Sequence, residues 1–90
     1  MAWQVRITKT AEKQIARLEK SSQKRIIKFL KDRVVAANPR QTGKALHGNK
    51  IELWRYRVGD YRLICSIDDE LLLIIILEVG HRREIYRKKH

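Results

Sequence analysis

After a short strand-like segment at its start, the chain changes its hydrophobic periodicity once, near residue 51, and that change most constrains the fold. Before it, apolar residues recur at the helical spacing of three and four, in two segments that end near residue 38. After it, apolar and polar residues alternate in short runs that are typical of strands. We therefore expect an α+β fold, with the helices packed on an antiparallel sheet.

The first half predicts one strand and two helices. A short alternating segment, Trp3–Ile7, predicts the strand. Thr8 or Thr10 is suited to cap the helix that follows, and Ser21-Ser22 is expected to end it. A second helix then runs to Asn38-Pro39, because the residue before a proline is pushed out of the α-helical region. The two helices are expected to form an antiparallel hairpin.

The second half predicts a polar loop over residues 40–50 and then three strands. The expected strands are Ile51–Val58, Tyr61–Ile67 and Leu71–Val79. Gly59-Asp60 is suited to a type II′ hairpin turn, and Asp69-Glu70 to the second turn. The predicted order is β-α-α-β-β-β in a single domain of residues 1–90. The last strand is apolar on both faces, so it is expected inside the sheet.

Charge points to a polyanionic partner. The formal net charge is +11 on 90 residues, and residues 1–50 hold 13 Lys and Arg against 3 acids. Such an excess favours nucleic acid, because each neutralised phosphate releases a condensed counterion. A solvated surface without a partner is the alternative.

Cysteine content and hydropathy predict a cytoplasmic protein. The single Cys65 excludes an internal disulfide, and its apolar setting predicts an inert core thiol. The N-terminal residues lack the pattern of a signal peptide. The longest apolar run, Leu71–Leu77, is far shorter than the roughly 20 residues that a membrane span needs. No membrane partner is expected.

The hairpin register brings arginines together. With Gly59-Asp60 as the turn, Arg57 lies opposite Arg62, and Arg55 lies opposite Ile64 on the same face. Like charges directly opposite each other destabilise a strand pair, so this pairing indicates an anionic ligand. The alternative is that the long side chains splay into water.

The C-terminal segment extends this cluster. Gly80 is expected to release the chain from the last strand, in a register where Leu77 faces Arg62. The tail would then fold over the arginines and bring three more polar side chains to them: His81, Arg82 and Tyr86.

Four motifs occur in a fixed order along the chain: Leu46-His47-Gly48, Leu53-Trp54-Arg55-Tyr56-Arg57, Gly59-Asp60-Tyr61-Arg62-Leu63, and Val79-Gly80-His81-Arg82-Arg83-Glu84-Ile85-Tyr86. This set and the order of elements resemble the RelE family of the RelE/ParE toxin superfamily. The resemblance implies a ribosome-dependent endoribonuclease that cuts A-site mRNA by attack of a 2′-hydroxyl on the adjacent phosphate. It also implies a cognate antitoxin, and neither a metal nor a small-molecule cofactor.

The resemblance implies catalytic roles for Arg55, Arg57, Arg62, Arg82 and Tyr86. Arginine stays protonated in proteins, so the first three are expected to position and stabilise charge. Well-known members have lysines at the positions of Arg55 and Arg57. Lysine can lose a proton and arginine effectively cannot, so those two positions are not expected to transfer protons here.

Proton transfer is therefore assigned to the tail. Tyr86 is expected to act as the base or to stack on a nucleobase. The acid is Arg82 or His81, whose imidazole is the better proton donor. Further cations expected to bind RNA are Arg83, Arg87 and Lys50.

Two other functions fit the same features. A ParE-like inhibitor of DNA gyrase shares the fold, and a non-catalytic RNA-binding module shares the charge. The three histidines lack the spacing of metal ligands, so no metal site is predicted.

Overall fold

The computed structural model describes residues 3–35, 38–46 and 53–85. In chain order its elements are β1 (Gln4–Ile7), α1 (Lys9–Ala16), α2 (Lys20–Phe29), a π-helical segment (Leu30–Val35), β2 (Lys44–Leu46), β3 (Leu53–Val58), β4 (Tyr61–Asp68), β5 (Leu73–His81) and α3 (Arg82–Ile85). The five strands form one sheet in the order β1-β5-β4-β3-β2, and the core lies between this sheet and the helices. The predicted α+β fold class is confirmed.

The sheet is mixed, because β1 runs parallel to β5 while the other three described pairs are antiparallel. Parallel neighbours need a long crossover connection, which the helical segments supply here. The prediction of a wholly antiparallel sheet was therefore wrong at this edge. The last strand, β5, is bordered by β1 and β4, as its two apolar faces predicted.

Thr8 is the residue that caps α1. Its Oγ1 accepts a hydrogen bond from the Ala11 amide at 3.2 Å and donates one to the Leu77 carbonyl, also at 3.2 Å. A threonine in this position satisfies one of the free amides at the helix start. Thr8 thereby also attaches α1 to β5.

The break between the helices lies at residues 17–19, and not at Ser21-Ser22 as predicted. Both serines fall in the first turn of α2. The Gln23 side chain donates hydrogen bonds to the carbonyls of Ile15, at 2.9 Å, and Leu18, at 3.1 Å. These bonds tie the first turn of α2 to the end of α1, so that the chain turns before the two serines.

The core fills the face of the sheet that the helices cover, hereafter the helix face. Its buried residues are Ala11, Ile26, Leu30, Val34, Tyr56, Val58, Leu63, Cys65, Ile74, Ile76 and Val79. The Tyr56 ring meets Phe29 edge-on, with centroids 5.5 Å apart, and its hydroxyl donates to the Pro39 carbonyl at 2.5 Å. Burial of these apolar side chains is the main stabilising term for so small a protein.

The predicted loop over residues 40–50 contains the short strand β2. Gly43, with a φ of 82°, lets this strand approach β3 closely. A Cβ on Gly43 would collide with the Arg55 carbonyl and would lie 2.5 Å from Trp54 Nε1. The Trp54 indole donates to the Thr42 carbonyl at 2.8 Å and holds the approach in place.

The β3–β4 turn has the predicted type II′ character, because Gly59 has a φ of 61° while Asp60 does not have a positive φ. The second turn is longer than predicted. It covers residues 69–72, with Leu72 at a φ of 51°, so that β5 begins at Leu73 instead of Leu71.

A β-bulge interrupts the pairing of β4 with β5. Cys65 pairs with Ile76 and Ile64 pairs with Glu78, which leaves Leu77 as the extra residue. Two side chains of the α1 region bind the backbone there. Thr8 bonds to the Leu77 carbonyl, and Gln14 Oε1 accepts from the Val79 amide at 2.6 Å.

The bulge and the longer turn change the register near the end of β5. Gly80, and not Leu77, lies opposite Arg62, and the strand continues through Gly80 to His81. The turn adds two residues and the bulge adds one, so the predicted register was wrong by three. An odd shift also exchanges the faces of the sheet on which the following residues lie.

Candidate functional site

The arginines lie on the face of the sheet opposite the helices, hereafter the arginine face. Arg57 pairs with Arg62, and Arg55 pairs with Ile64, as the hairpin turn predicted. Because paired residues share a face, this face also carries Lys44, which pairs with Arg55.

Lys44 is a residue that sequence reasoning missed. It lies on β2, which has only three residues and no clear alternation of apolar and polar residues, so the sequence pattern predicts a loop there. With Arg55 and Arg57 it lines a pocket of about 150 Å³, completed by Thr42 and Gly43. This β2–β3 pocket therefore has three cationic side chains around it.

The three arginines differ in exposure. Arg57 is exposed and Arg55 is half-buried, whereas Arg62 is only 4% exposed. The Arg62 guanidinium donates through Nη1 to the carbonyls of Gly59, at 3.2 Å, and Tyr61, at 3.0 Å. Arg62 is thus fixed to the hairpin turn, and its charge lies beneath the surface that Arg57 presents.

Glu78 is a second residue of this face that the sequence pattern did not predict. It pairs with Ile64 across the bulge, in the same row as Arg55, and its side chain is half-buried. A signal for it was present in the sequence. Glu78 follows Ile74 and Ile76 at even spacing, so an unbroken strand would place its carboxylate in the core, which only a bulge avoids.

His81 is on the helix face, and the expectation that it folds over the arginines was wrong. It pairs with Tyr61, and the two rings meet edge-on with centroids 6.0 Å apart. It lines a separate cleft of about 290 Å³ with Arg25 and Asp60 among others. Its Nδ1 accepts a hydrogen bond from the Arg83 amide at 3.3 Å. The shift of register by three is the physical reason for this position.

Arg82 and Arg83 begin α3, and both side chains are exposed. The Arg82 amide donates to the Asp60 carbonyl at 2.8 Å, which joins the start of α3 to the β3–β4 turn. α3 also packs against β4 and β5. The two arginines therefore start beside the hairpin that carries Arg57 and Arg62. Three other predicted residues, Tyr86, Arg87 and Lys50, lie outside the described residues.

Two buried groups on the helix face remain protonated. Burial raises the pKa of the Tyr56 hydroxyl, and the Cys65 thiol raises it further while Arg40 lowers it. Burial likewise raises the pKa of Cys65, which is fully buried. Cys65 is therefore an inert core thiol, as its sequence setting predicted.

Two structural findings concern other classes of site. Across residues 3–35, 38–46 and 53–85, no group of three or more His, Cys, Asp or Glu side chains is placed to hold a metal ion. In the same ranges, no helix is both long and apolar enough to cross a membrane.

The arrangement is suited to bind a phosphodiester. Lys44, Arg55 and Arg57 line one small pocket, and Arg62 adds fixed charge at the neighbouring hairpin turn. Guanidinium groups of this kind bind phosphate through charge-assisted hydrogen bonds and stabilise negative charge that develops on it. Glu78 adds a group that can accept a proton on the same face.

Comparison with known proteins identifies the family. The chain matches the family model for the ParE toxin of type II toxin-antitoxin systems over residues 5–86. It is also 33% identical over 88 residues to toxin RelG of Mycobacterium tuberculosis, a match that covers 98% of this chain and 100% of RelG. The chain belongs to the RelE/ParE toxin superfamily. Toxin RelE of the same organism is 31% identical, over 94% of this chain and 87% of that toxin.

Solved structures agree with this membership. The toxin superposes on a chain of the RelBE2 toxin-antitoxin complex from Mycobacterium tuberculosis with a TM-score of 0.82 and 30% identity, covering 91% of this toxin and 100% of that chain. It superposes on a chain of the RelE-RelB complex from Pyrococcus horikoshii with a TM-score of 0.70 and 29% identity, covering 91% and 97%. The resemblance to RelE toxins is therefore confirmed in both sequence and fold.

Proposed function

We propose that this toxin is an endoribonuclease that cuts mRNA on the ribosome and so inhibits translation. The observation that carries the proposal is the β2–β3 pocket, where Lys44, Arg55 and Arg57 converge on a space of about 150 Å³. A pocket of this size and charge fits a single phosphate group. Membership of the superfamily supports a toxin, and the charge of the pocket favours a phosphodiester as its target.

In the proposed reaction, the ribose 2′-oxygen forms a bond to the adjacent phosphorus while the bond from phosphorus to the 5′-oxygen breaks. The 2′-hydroxyl proton passes to a base, and the leaving 5′-oxygen takes a proton from solvent water. The products are a 2′,3′-cyclic phosphate and a 5′-hydroxyl. No electron is transferred, and the reaction requires no co-reactant.

Arg55 and Arg57 serve in this reaction as fixed positive charge. Guanidinium groups stay protonated, so they bind the phosphate oxygens and stabilise the phosphorane without exchanging protons. Arg62 contributes positive charge from the hairpin turn, where its bonds to two carbonyls hold the guanidinium in place. Electrostatic groups that need no reorganisation are the most effective in stabilising a transition state.

Proton transfer is proposed for groups around this charge. Glu78, on the arginine face, is the proton acceptor for the 2′-hydroxyl, since a carboxylate there can do what the arginines cannot. Tyr86 is proposed to stack on a nucleobase. Arg82 stabilises the leaving 5′-oxygen. His81 is no longer proposed as the acid, because its ring lies on the helix face.

The proposed partners are a cognate antitoxin, the ribosome and its A-site mRNA. Solved relatives from Mycobacterium tuberculosis and Pyrococcus horikoshii are toxin-antitoxin complexes, which supports the antitoxin. An excess of eleven positive charges supports the ribosome, whose RNA is polyanionic. The proposed site of action is the cytoplasm.

Primer extension on a translating mRNA tests the proposal. With purified toxin added to a translation system, we expect new primer-extension stops at 5′ ends within the A-site codon, and a 2′,3′-cyclic phosphate at the end of the matching upstream fragments. Arg57→Ala and Arg82→Ala should lose this cleavage. Arg6→Ala is the matched control, because Arg6 is an exposed arginine on the same face but at the far edge strand β1.

A gyrase inhibitor remains the second candidate, because the matching family model describes the ParE toxin. The two functions give opposite results in paired assays. Intact mRNA together with inhibited DNA supercoiling would replace the nuclease proposal. RNA binding without cyclic-phosphate ends would indicate a non-catalytic RNA-binding module.

A further inference from the structure

A second cleft, of about 520 Å³, opens at the edge of β3 beyond the end of β2. β2 pairs with residues 53–55 only, so the rest of β3 has no described strand on that side. We call this space the hairpin cleft. It is lined by Arg25, Lys28, Phe29, Asp32, Arg33, Thr42, Arg57, Val58 and Gly59.

One wall of the hairpin cleft is a single helical face. Five of its residues follow one another at i, i+3, i+4, i+7 and i+8 from Arg25, the spacing of side chains on one side of a helix. The last two, Asp32 and Arg33, lie on the π-helical segment, a kind of turn that is frequent at functional sites.

The cleft combines a cationic rim with an apolar floor. Its charged groups are four cations, Arg25, Lys28, Arg33 and Arg57, and one anion, Asp32, which gives four minus one, or a net charge of +3. Phe29 is half-buried and Val58 is buried, and both offer apolar surface between the cations.

The Arg25 guanidinium lies beside the β3–β4 turn at the mouth of the cleft. A Cβ placed on Gly59 would lie 3.2 Å from Arg25 Nη1 and 3.4 Å from its Cζ. The absence of a side chain at Gly59 therefore gives the guanidinium its place against the turn. Arg25 is exposed, so its charge is open to a ligand that enters the cleft.

Arg57 connects the hairpin cleft to the β2–β3 pocket, since it lines both spaces. A strand whose reacting phosphate occupies the pocket has a neighbouring nucleotide within reach of the cleft. The apolar floor suits a nucleobase and the rim suits a phosphate, which is the usual composition of a single-strand binding groove. The volume also falls in the range of about 300–1,000 Å³ found for ligand sites.

We propose that the hairpin cleft binds one nucleotide of single-stranded RNA next to the phosphate that is cut. The base lies on Phe29 and Val58, and the phosphate contacts Arg57 together with the cations of the helical wall. This inference rests on the proposed function, which identifies the bound strand as RNA. It assigns that RNA a path over the edge of the β3–β4 hairpin.

Binding of short RNA with 2′-O-methyl riboses tests the inference, because such RNA cannot be cut by 2′-hydroxyl attack. The probes are a dinucleotide, a hexanucleotide and a duplex of the hexanucleotide sequence. The test variant is Lys28→Ala/Arg33→Ala. The matched control is Lys24→Ala/Lys31→Ala, which removes two exposed cations from the same helical stretch but none from the cleft lining.

We expect the test variant to bind the hexanucleotide about 10-fold more weakly than wild type, with a salt slope smaller by about one. Dinucleotide affinity should stay within twofold of wild type, and the control should lose at most twofold on every probe. The single strand should bind more tightly than the duplex, since only an unpaired base can reach the floor.

Equal loss in the test and control variants would overturn the inference, and so would equal binding of the duplex. The proposed function is judged separately, by whether wild type cuts unmodified mRNA during translation. Cleavage by wild type with no difference between the two variants would refute the hairpin cleft alone. Binding as expected with mRNA left intact would refute the nuclease proposal alone.

Discussion

Arg57 and Arg62 face each other across the β3–β4 hairpin, yet only Arg57 has its side chain in solvent. Arg62 is 4% exposed and bonded to the carbonyls of Gly59 and Tyr61. The two guanidinium groups thus share one register position but differ in environment, since one is in solvent and the other is buried. Arg57 is available to a ligand, and Arg62 ties the turn beneath it.

This relationship predicts opposite phenotypes for the two alanine variants. Arg57→Ala should lose RNA cleavage while its free energy of unfolding stays within about 0.5 kcal/mol of wild type, since it is an exposed substitution. Arg62→Ala should be destabilised by about 1–3 kcal/mol, because it removes charge-assisted hydrogen bonds from a buried position. Urea unfolding followed by far-UV circular dichroism measures both. Equal free energies of unfolding for the two variants would contradict this difference in environment between Arg57 and Arg62.

The position of Glu78 predicts a catalytic rather than a structural defect on substitution. Glu78→Gln should lower the rate of RNA cleavage by about 10²–10⁴-fold, the usual contribution of a general base. Binding of 2′-O-methyl RNA should not weaken, because the change removes a negative charge beside a phosphate. The comparison variant is Tyr86→Phe, which keeps its ring for stacking and should retain cleavage. Loss of cleavage in Tyr86→Phe with full activity in Glu78→Gln would reverse the two assignments.

The two glycines of the site should differ in their tolerance of alanine. Gly43→Ala places a Cβ against the Arg55 carbonyl and Trp54 Nε1, in a residue with a φ of 82°. We expect a loss of about 2–4 kcal/mol, since backbone atoms cannot move aside and the positive φ is strained. Gly59→Ala meets only the mobile guanidinium of Arg25, so we expect about 1–2 kcal/mol. Thermal unfolding of both variants checks which of them is less stable. A Gly43→Ala variant more stable than Gly59→Ala would show that β2 does not approach β3 this closely.

Alkaline pH should destabilise the toxin. The ordinary pKa is 10.0 for Tyr56 and 9.0 for Cys65, and burial raises the folded-state pKa of each above these values. Above about pH 9 the unfolded chain releases protons that the folded chain retains. The free energy of unfolding then falls with rising pH, by up to about 1.4 kcal/mol per pH unit for each group.

Urea unfolding between about pH 8 and pH 11 measures this slope. Cys65→Ala should show a shallower decline than wild type, beginning nearer pH 10, because only Tyr56 then contributes. A stability that stays constant over this range would contradict the burial of both groups.

The part of the site set by local rules could be predicted from the sequence. A two-residue turn at Gly59-Asp60 fixes the hairpin register, so the pairing of Arg57 with Arg62 followed from it. β2 could not be predicted in this way. It has only three residues. Its pairing with β3 depends on Gly43, which allows a close approach to Trp54 and Arg55, both more than ten residues further along the chain.

The position of His81 depended on tertiary contacts that a local pattern does not contain. The bulge at Leu77 is bound by Thr8 and Gln14, from the other end of the chain. These bonds fix the bulge at Leu77, and the position of the bulge decides on which face of the sheet each later residue of β5 lies. Sequence reasoning therefore located the arginines correctly and assigned His81 to the wrong side of the sheet.

The bulge at Leu77 also decides how relatives should be aligned with this toxin. A relative that lacks one residue at this point can keep Glu78, Gly80 and His81 on their present sides, because the remaining pairs close up without a bulge. A residue gained after Glu78 would instead exchange the faces of Gly80 and His81 while Glu78 keeps its own, and would turn the imidazole toward the arginine face. An alignment gap placed one or two positions away from Leu77 would thus match side chains that lie on opposite faces of the sheet. The role of a residue in one protein would then be assigned to the wrong residue of another.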